Sequence, residues 1–401
     1  FEREGEGETA TDHVVRVDKA FLADGIAHYT FILTLGDGEY DKIGLHRIVR
    51  ESGSGQPETS GTGLLHLHGD GNQFATVMLP GVDAPGLPEE AGLAVYLARN
   101  GVDIWGIDQA WALVPPEVTD HRFMQDWGLD RQIRDSRIAL AIARILRFRT
   151  GSGLGELFLS GHSSGAVIGY ALLNQEAPED PMLRHVKGFV PMDFMAASND
   201  ETFIAGMVQR YEDATALIEG GMYAAAFPFH LIGNLAMSDP DGDSPIIEGF
   251  SNRQAAIFLF AGRTNPFSHF LAGTWDGPVP TGFQYVSTDQ GLAIYLKTAP
   301  YQAARYQQEV GLWLGKVEEA PWDDHFAAIQ VPILSIDPAG GYGELNAYGT
   351  TLLGSSDVTH LSIQLRPEGE ESFDYGHIDI LLANNAEELV WSPMLEWLET
   401  H

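Results

Sequence analysis

The chain has 401 residues, 44% of them hydrophobic, with 56 acidic against 23 basic side chains and a formal charge of −33. That length can bury a large core and still carry a substantial insertion, while the acidic balance repels nucleic acid and anionic membrane surfaces. There is no cysteine, which excludes disulfides, thiolate metal sites and cysteine nucleophiles together, and no apolar run approaches the ~20 residues of a membrane span.

These features predict a soluble globular protein, and a homodimer is compatible with them. Lysine occurs only at Lys19, Lys42, Lys187, Lys297 and Lys316, so carboxylates dominate the surface. Such a surface suits a secreted, periplasmic or salt-tolerant protein rather than a cytoplasmic one. Because the first residue is Phe1, the chain is expected to be a processed or trimmed product.

In chain order, the acidic, glycine-containing stretch from Glu2 to Thr11 and the Ser/Gly/Thr-rich stretch from Glu51 to Gly63 are expected to be solvated segments. Between them, apolar runs from His28 to Leu35 and from Lys42 to Val49 flank Gly36-Asp37-Gly38-Glu39, which predicts an antiparallel hairpin. From Leu64 onward short apolar strands alternate with helices. Strands are predicted at Leu64 to His68, Val102 to Ile107, Glu156 to Ser160 and Val186 to Met192. Helices are predicted at Glu89 to Asn100, Asp130 to Phe148 and Ser164 to about Asn174. The long helix is expected to carry its apolar face on Ile133, Ile138, Ala141, Ile142 and Ile145.

Alternation of this kind implies right-handed crossovers and a largely parallel sheet. It lapses from Ala196 to Ala328, then resumes with strands at Val331 to Ile336 and Val358 to Leu365 and a terminal helix from Asn385 to Glu399. The expected fold class is therefore α/β, with core segments 1–195 and 329–401 and a mainly helical cap inserted at 196–328. Aromatic residues of the insertion, among them Phe227, Phe267 and Trp275, are candidates for lining a substrate pocket.

The segment Leu157-Phe158-Leu159-Ser160-Gly161-His162-Ser163-Ser164-Gly165 is an apolar strand running through G-x-S-x-G into a helix. A serine projecting from so sharp a turn needs small neighbours, which Gly161 and Gly165 supply. The turn nominates Ser163 as a nucleophile. It also sets the backbone N–H of Ser164 at a helix N-terminus, where negative charge developing on a substrate oxygen is stabilised.

Two patterns suggest metals. His66-Leu67-His68-Gly69-Asp70 has the spacing by which alternate strand positions present imidazoles to one ion, but Gly71 stands where a further ligand is needed. Asp239-Pro240-Asp241-Gly242-Asp243 with Glu248 is oxygen-rich, but its glycine and glutamate are misplaced for a calcium loop. No metal or other cofactor is therefore expected.

Four separated pieces together give the chain its resemblance to the α/β-hydrolase superfamily, over everything outside the insertion. They are the hairpin with its following strands, His68-Gly69-Asp70-Gly71 after a strand, the turn at Ser163, and Gly376-His377-Ile378-Asp379 near the C-terminus. The resemblance implies an oxyanion-hole donor from the backbone N–H of Asp70, paired with that of Ser164. It also implies the chain order serine, acid, histidine, which makes His377 the general base a serine hydroxyl requires.

Asp193, at the end of the strand Val186 to Met192, resembles the acid of the haloalkane-dehalogenase-like branch. Asp337 and Glu344, after the next strand, are the alternative acids. Asp374 and Asp379 are expected to cap the terminal helix or order the His377 loop. His162 is expected to pack the turn, and His185, His230, His269 and His325 to lie at the surface or in the cap.

The resemblance to dehalogenases stops at the nucleophile, since serine forms an acyl-enzyme and acts on carbonyl compounds. The function this implies is hydrolysis of a carboxylic ester, lactone or amide of a bulky, largely apolar small molecule through Ser163. An acyltransferase or carbon-carbon bond hydrolase using the same residues, and a catalytically silent binding protein of the same fold, are the alternatives.

Overall fold

The structure is a computed structural model, and it describes residues 16–23, 25–82, 87–88, 91–227, 229–262 and 269–401. The first half runs β1 (Arg16–Ala23), β2 (Ile26–Thr34), β3 (Lys42–Gly53), β4 (Gln56–Pro57), β5 (Gly63–Leu67), α1 (Phe74–Met78), α2 (Leu93–Arg99), β6 (Asp103–Asp108), α3 (Leu129–Arg149), β7 (Leu157–His162), α4 (Ser164–Glu176) and β8 (Val186–Met192). Strands β2 and β3 form the predicted hairpin, with Thr34 opposite Lys42. Beyond them β1 adds an antiparallel edge strand that the sequence pattern did not announce.

Residues 196–328 follow as α5 (Glu201–Glu219), β9 (Ala224–Ala226), α6 (Phe229–Ser238), α7 (Asn252–Ala261), β10 (Gly273–Asp276), β11 (Val279–Phe283), α8 (Thr288–Ala293), β12 (Tyr301–Ala303) and α9 (Ala304–Leu314). The chain then returns to the sheet with β13 (Ile333–Pro338), α10 (Leu345–Thr350), β14 (Val358–Ile363), α11 (Asp379–Leu382) and α12 (Ser392–Thr400). The expected terminal helix is present as one run whose first part, Glu387–Trp391, is π-helical and passes directly into α12.

The main sheet has the order β1-β2-β3-β6-β5-β7-β8-β13-β14, with β4 paired to β3. From β6 to β14 every pairing is parallel. Strands β5, β6 and β7 are buried along their whole lengths, as continuous apolar strands covered on both faces must be. Between β5 and β7 the strand order reverses direction, and at such a switch point the carboxyl ends of the strands open a crevice.

One apolar core lies on the face holding Leu64 and Ile104, the other on the face holding Leu65 and Trp105, as the alternation of strand side chains requires. Residues of the insertion enter both: Ile232, Phe260 and Leu292 join the first, and Tyr306, Val310 and Trp313 the second. Residues 196–328 thus share both apolar cores with the rest of the chain.

Helix α3 buries Ile133, Ala139, Leu140 and Ala143, whereas Ile145 is exposed, so its inward face is rotated from the expected one. The cause is polar. Arg147 of α3 turns inward and, with Arg47, donates to Asp103 at 2.9 Å each. Three buried charged groups satisfy one another there, and removing one would strand the others. Among the described residues no helix is long and apolar enough to cross a membrane.

Candidate active site

Strand β7 delivers Ser163 to the N-terminus of α4 with φ 56° and ψ −129°. Three non-glycine residues among those described have positive φ: Ser163, Asp193 and Lys316. Such backbone costs on the order of 1–3 kcal/mol per residue and persists only where its surroundings impose it. Here the imposing contacts are sheet bonds, from the Ser163 N–H to the Met192 carbonyl at 3.0 Å and from the Asp193 N–H to the Ile336 carbonyl at 2.9 Å.

The flanking glycines are sterically required. A Cβ on Gly161 would lie 2.4 Å from the Gly165 carbonyl oxygen, and one on Gly165 would lie 2.1 Å from that of Leu67. A Cβ on Gly69 would come within 2.8 Å of the Ser163 Cβ and 3.4 Å of its Oγ. The His68-Gly69 turn at the end of β5 therefore abuts the serine hydroxyl.

His377 and Asp193, 184 residues apart, meet in the interior, and Nδ1 of the imidazole lies 2.6 Å from the carboxylate Oδ2. An ionised carboxylate only accepts, so Nδ1 carries the proton and Nε2 is left as the basic nitrogen. The other carboxylate oxygen of Asp193 accepts from the Tyr342 N–H at 2.9 Å and from the Asn346 amide at 3.1 Å.

The His377 ring lies 4.3 Å from that of His162, whose Nε2–H donates to the His377 carbonyl at 2.9 Å. Burial, reinforced by the neighbouring His377, pushes the His162 pKa far down, so His162 packs the turn as a neutral ring. The His377 loop is fastened by Asp379, which accepts from the N–H groups of Gly376 at 2.8 Å and Ala272 at 2.9 Å. Burial raises the Asp379 carboxyl to about 7 despite those two bonds. Asp374 accepts from Leu365, Arg366 and Tyr375 and orders the approach to the same loop.

The alternative acids stand elsewhere. Asp337 accepts from Ser335 at 2.7 Å and pairs with His360 at 2.8 Å, and Glu344 is exposed at the start of α10. His269 is not a surface residue. It is fully buried, accepts the His377 N–H on its carbonyl at 3.1 Å, and donates from Nε2 to the Asp374 carbonyl at 2.8 Å.

His66 and His68 are engaged within the protein. His66 Nδ1 is 2.9 Å from the Ser160 hydroxyl, and His68 donates to the Gly69 carbonyl at 2.9 Å while accepting the Gln109 N–H at 3.1 Å. No cluster able to hold a metal occurs among the described residues.

Of the pocket candidates, Phe227 lies against the Gly69-Asp70-Gly71 turn, 3.2 Å from where a Gly71 Cβ would be. Trp275 instead packs on Phe258 beside the β10–β11 hairpin, and Phe267 lies outside the described residues. Two further rings flank the imidazole edge-on: Phe270, another aromatic of the insertion, at 5.8 Å, and Tyr342, which no motif announced, at 6.0 Å. The Gly340-Gly341 step before Tyr342 was the available sign, since a Cβ on Gly341 would lie 1.9 Å from Asp193 Oδ2.

The Asp70 and Ser164 N–H groups donate to no backbone carbonyl among the described residues, and both adjoin the Ser163 turn. The Asp70 side chain reaches the insertion, where Arg210 of α5 meets Oδ2 at 2.9 Å and Gln302 of β12 meets Oδ1 at 2.6 Å. Neither insertion residue belongs to a recognisable motif. A cavity of about 520 Å³ is lined by Gln73 and Thr76 of the core and by His230, Leu296 and Pro300 of the insertion, and neither Ser163 nor His377 borders it.

No sequence-family model matches the chain, and no curated protein matches it in sequence. Solved structures match it in shape. A candidate lipase from Sulfolobus solfataricus aligns over 96% of this chain and 99% of its own at 19% identity, with a TM-score of 0.64. A monoglyceride lipase from Saccharomyces cerevisiae aligns over 99% of each chain at 13% identity and 0.49, and an esterase from Thermogutta terrifontis over 92% and 98% at 13% and 0.44. The Sulfolobus likeness spans nearly the whole of both chains and agrees with the parallel sheet and the strand-turn-helix at Ser163, so the chain has the α/β-hydrolase fold.

Proposed function

We propose that the protein is a serine hydrolase that cleaves a carboxylic ester of a bulky, largely apolar small molecule. The observation that carries this reading is the convergence, at the carboxyl ends of adjacent parallel strands, of Ser163 on a left-handed turn with a buried His377–Asp193 pair. The candidate lipase that shares the fold is consistent with it.

In the proposed reaction the Ser163 hydroxyl attacks the substrate carbonyl while Nε2 of His377 takes its proton, and Asp193 orients the ring and stabilises the imidazolium. The N–H groups of Asp70 and Ser164 hold the oxyanion of the tetrahedral intermediate. Collapse releases the alcohol with the proton from His377. Water, activated by the same imidazole, then frees the acid and restores Ser163. The apolar preference rests on the rings from the insertion at the site's edge, Phe227 over Gly71 and Phe270 beside His377.

The test is turnover of 4-nitrophenyl butanoate. Wild-type protein is expected to release nitrophenolate, and Ser163→Ala to lose on the order of 10⁴-fold or more in kcat. Equal activity in the variant would remove the serine from the mechanism.

A further inference from the structure

The side chain of Asp70 presents a problem that the insertion answers. A residue whose N–H is to stabilise a developing anion carries a carboxylate of its own, and a second negative charge so close opposes the intermediate. In this structure both oxygens of that carboxylate are occupied from the insertion, Oδ2 by the Arg210 guanidinium at 2.9 Å and Oδ1 by the Gln302 amide at 2.6 Å. Gln302 is fully buried, and the Asp70 and Arg210 side chains are about four-fifths buried. Burial raises the Asp70 carboxyl, but the Arg210 charge and the contacts with Ser164 and Gln302 outweigh it and hold the pKa below its ordinary value.

Two further contacts lock the same turn. The Ala299 N–H donates to the Gly71 carbonyl at 2.7 Å, and the Tyr306 hydroxyl of α9 donates to the Ser164 carbonyl at 3.3 Å. Helices α5 and α9, which carry Arg210 and Tyr306, are in backbone contact: a Cβ on Gly311 would lie 2.6 Å from the Tyr211 nitrogen. Arg210 and Tyr306 thus belong to one rigid pair of helices and bear on both donor residues at once.

We propose that Arg210 and Gln302 are positioning residues, which neutralise and orient Asp70 so that the insertion completes the oxyanion hole. This rests on the serine hydrolase reading. It assigns the insertion a part in the chemical step in addition to any part in substrate choice. Because the contacts act on the donors and not on the substrate, their loss should appear in kcat and leave KM nearly unchanged.

The experiment is a double-mutant cycle on 4-nitrophenyl butanoate, with thermal unfolding of each variant as a check on folding. Arg210→Gln is expected to lower kcat roughly 10²-fold with KM within about threefold of wild type. Arg210→Lys, which keeps the charge, should recover part of that loss. Asp70→Asn combined with Arg210→Gln should return to within about tenfold of wild type, since a neutral amide needs no counter-charge.

A wild-type enzyme that turns over while Arg210→Gln keeps kcat within about twofold of it would overturn this inference alone. So would a double variant no better than Arg210→Gln. Should Arg210→Gln not fold, the cost of Arg210→Gln in the Asp70→Asn background decides: a loss under about threefold supports the proposal, and a loss near 10²-fold overturns it. A folded wild-type protein with no esterase turnover overturns the serine hydrolase reading and this inference with it.

Discussion

The sheet with its helices and the inserted residues 196–328 meet at Ser163 and contribute in different ways. The sheet holds Ser163 and Asp193 at strand ends by backbone bonds that fix their direction, while His377, on the loop after the last strand, is held through its N–H by the His269 carbonyl of the insertion. The insertion supplies Arg210, Gln302, Tyr306 and Phe270, which touch those residues or their neighbours from outside. Covalent chemistry needs atoms fixed within a fraction of an ångström, and a sheet provides that through regular pairing. Neutralising a carboxylate and bordering a pocket demand only a suitable side chain in contact. Irregular helical segments are enough for that.

The largest effect that could break this division lies in the choice of acid. Asp193→Asn should lower kcat/KM by roughly 10⁴-fold through loss of the correct imidazole tautomer. Asp337→Asn, whose carboxylate serves His360, should leave kcat/KM within about threefold of wild type. Steady-state kinetics on one ester checks both, and a reversed ranking would move the site one strand along the sheet.

A smaller effect sharpens the seam between the regions, because Asp379 accepts N–H bonds from Ala272 on the insertion side and Gly376 on the His377 side. Its carboxyl is raised from 3.8 to about 7, so the folded state keeps a proton that the unfolded state releases between those values. This contribution to stability is complete below pH ~4 and is lost as pH rises through ~7, on the order of 2–4 kcal/mol in all. Asp379→Asn retains an acceptor oxygen and removes the titration. Urea unfolding at pH 5 and pH 8 should therefore show wild type losing more stability than the variant. Equal losses would mean that Asp379 does not couple the joint to pH.

What was legible in the sequence follows the same division. Ser163, Asp70 and His377 stand in short local patterns that read as a strand end, a turn or a loop, and the parallel sheet followed from alternating strands and helices. The acid was ambiguous because β8 and β13 are neighbours in the sheet and each carries an aspartate at its carboxyl end, Asp193 just after β8 and Asp337 within the last residues of β13. What separates the two is the left-handed backbone of Asp193, with φ 48°, and the prior commitment of Asp337 to Ser335 and His360.

Arg210 and Gln302 lie 140 and 232 residues from Asp70, and no periodicity relates positions so far apart. The face of α3 was misjudged because apolar spacing cannot register an inward Arg147 satisfied by Asp103. Strand β1 has the charged character of edge strands, with Arg16, Asp18 and Lys19 along an exposed edge interrupting its apolar residues.

The proposed reaction stands or falls with Ser163 as the nucleophile, activated by His377 and Asp193. Incubation with a fluorophosphonate, followed by peptide mass mapping, tests it most directly. A single adduct on Ser163 is expected, formed far more slowly in His377→Ala than in wild type. A folded protein that shows no adduct, or that carries it on another residue, would contradict the claim.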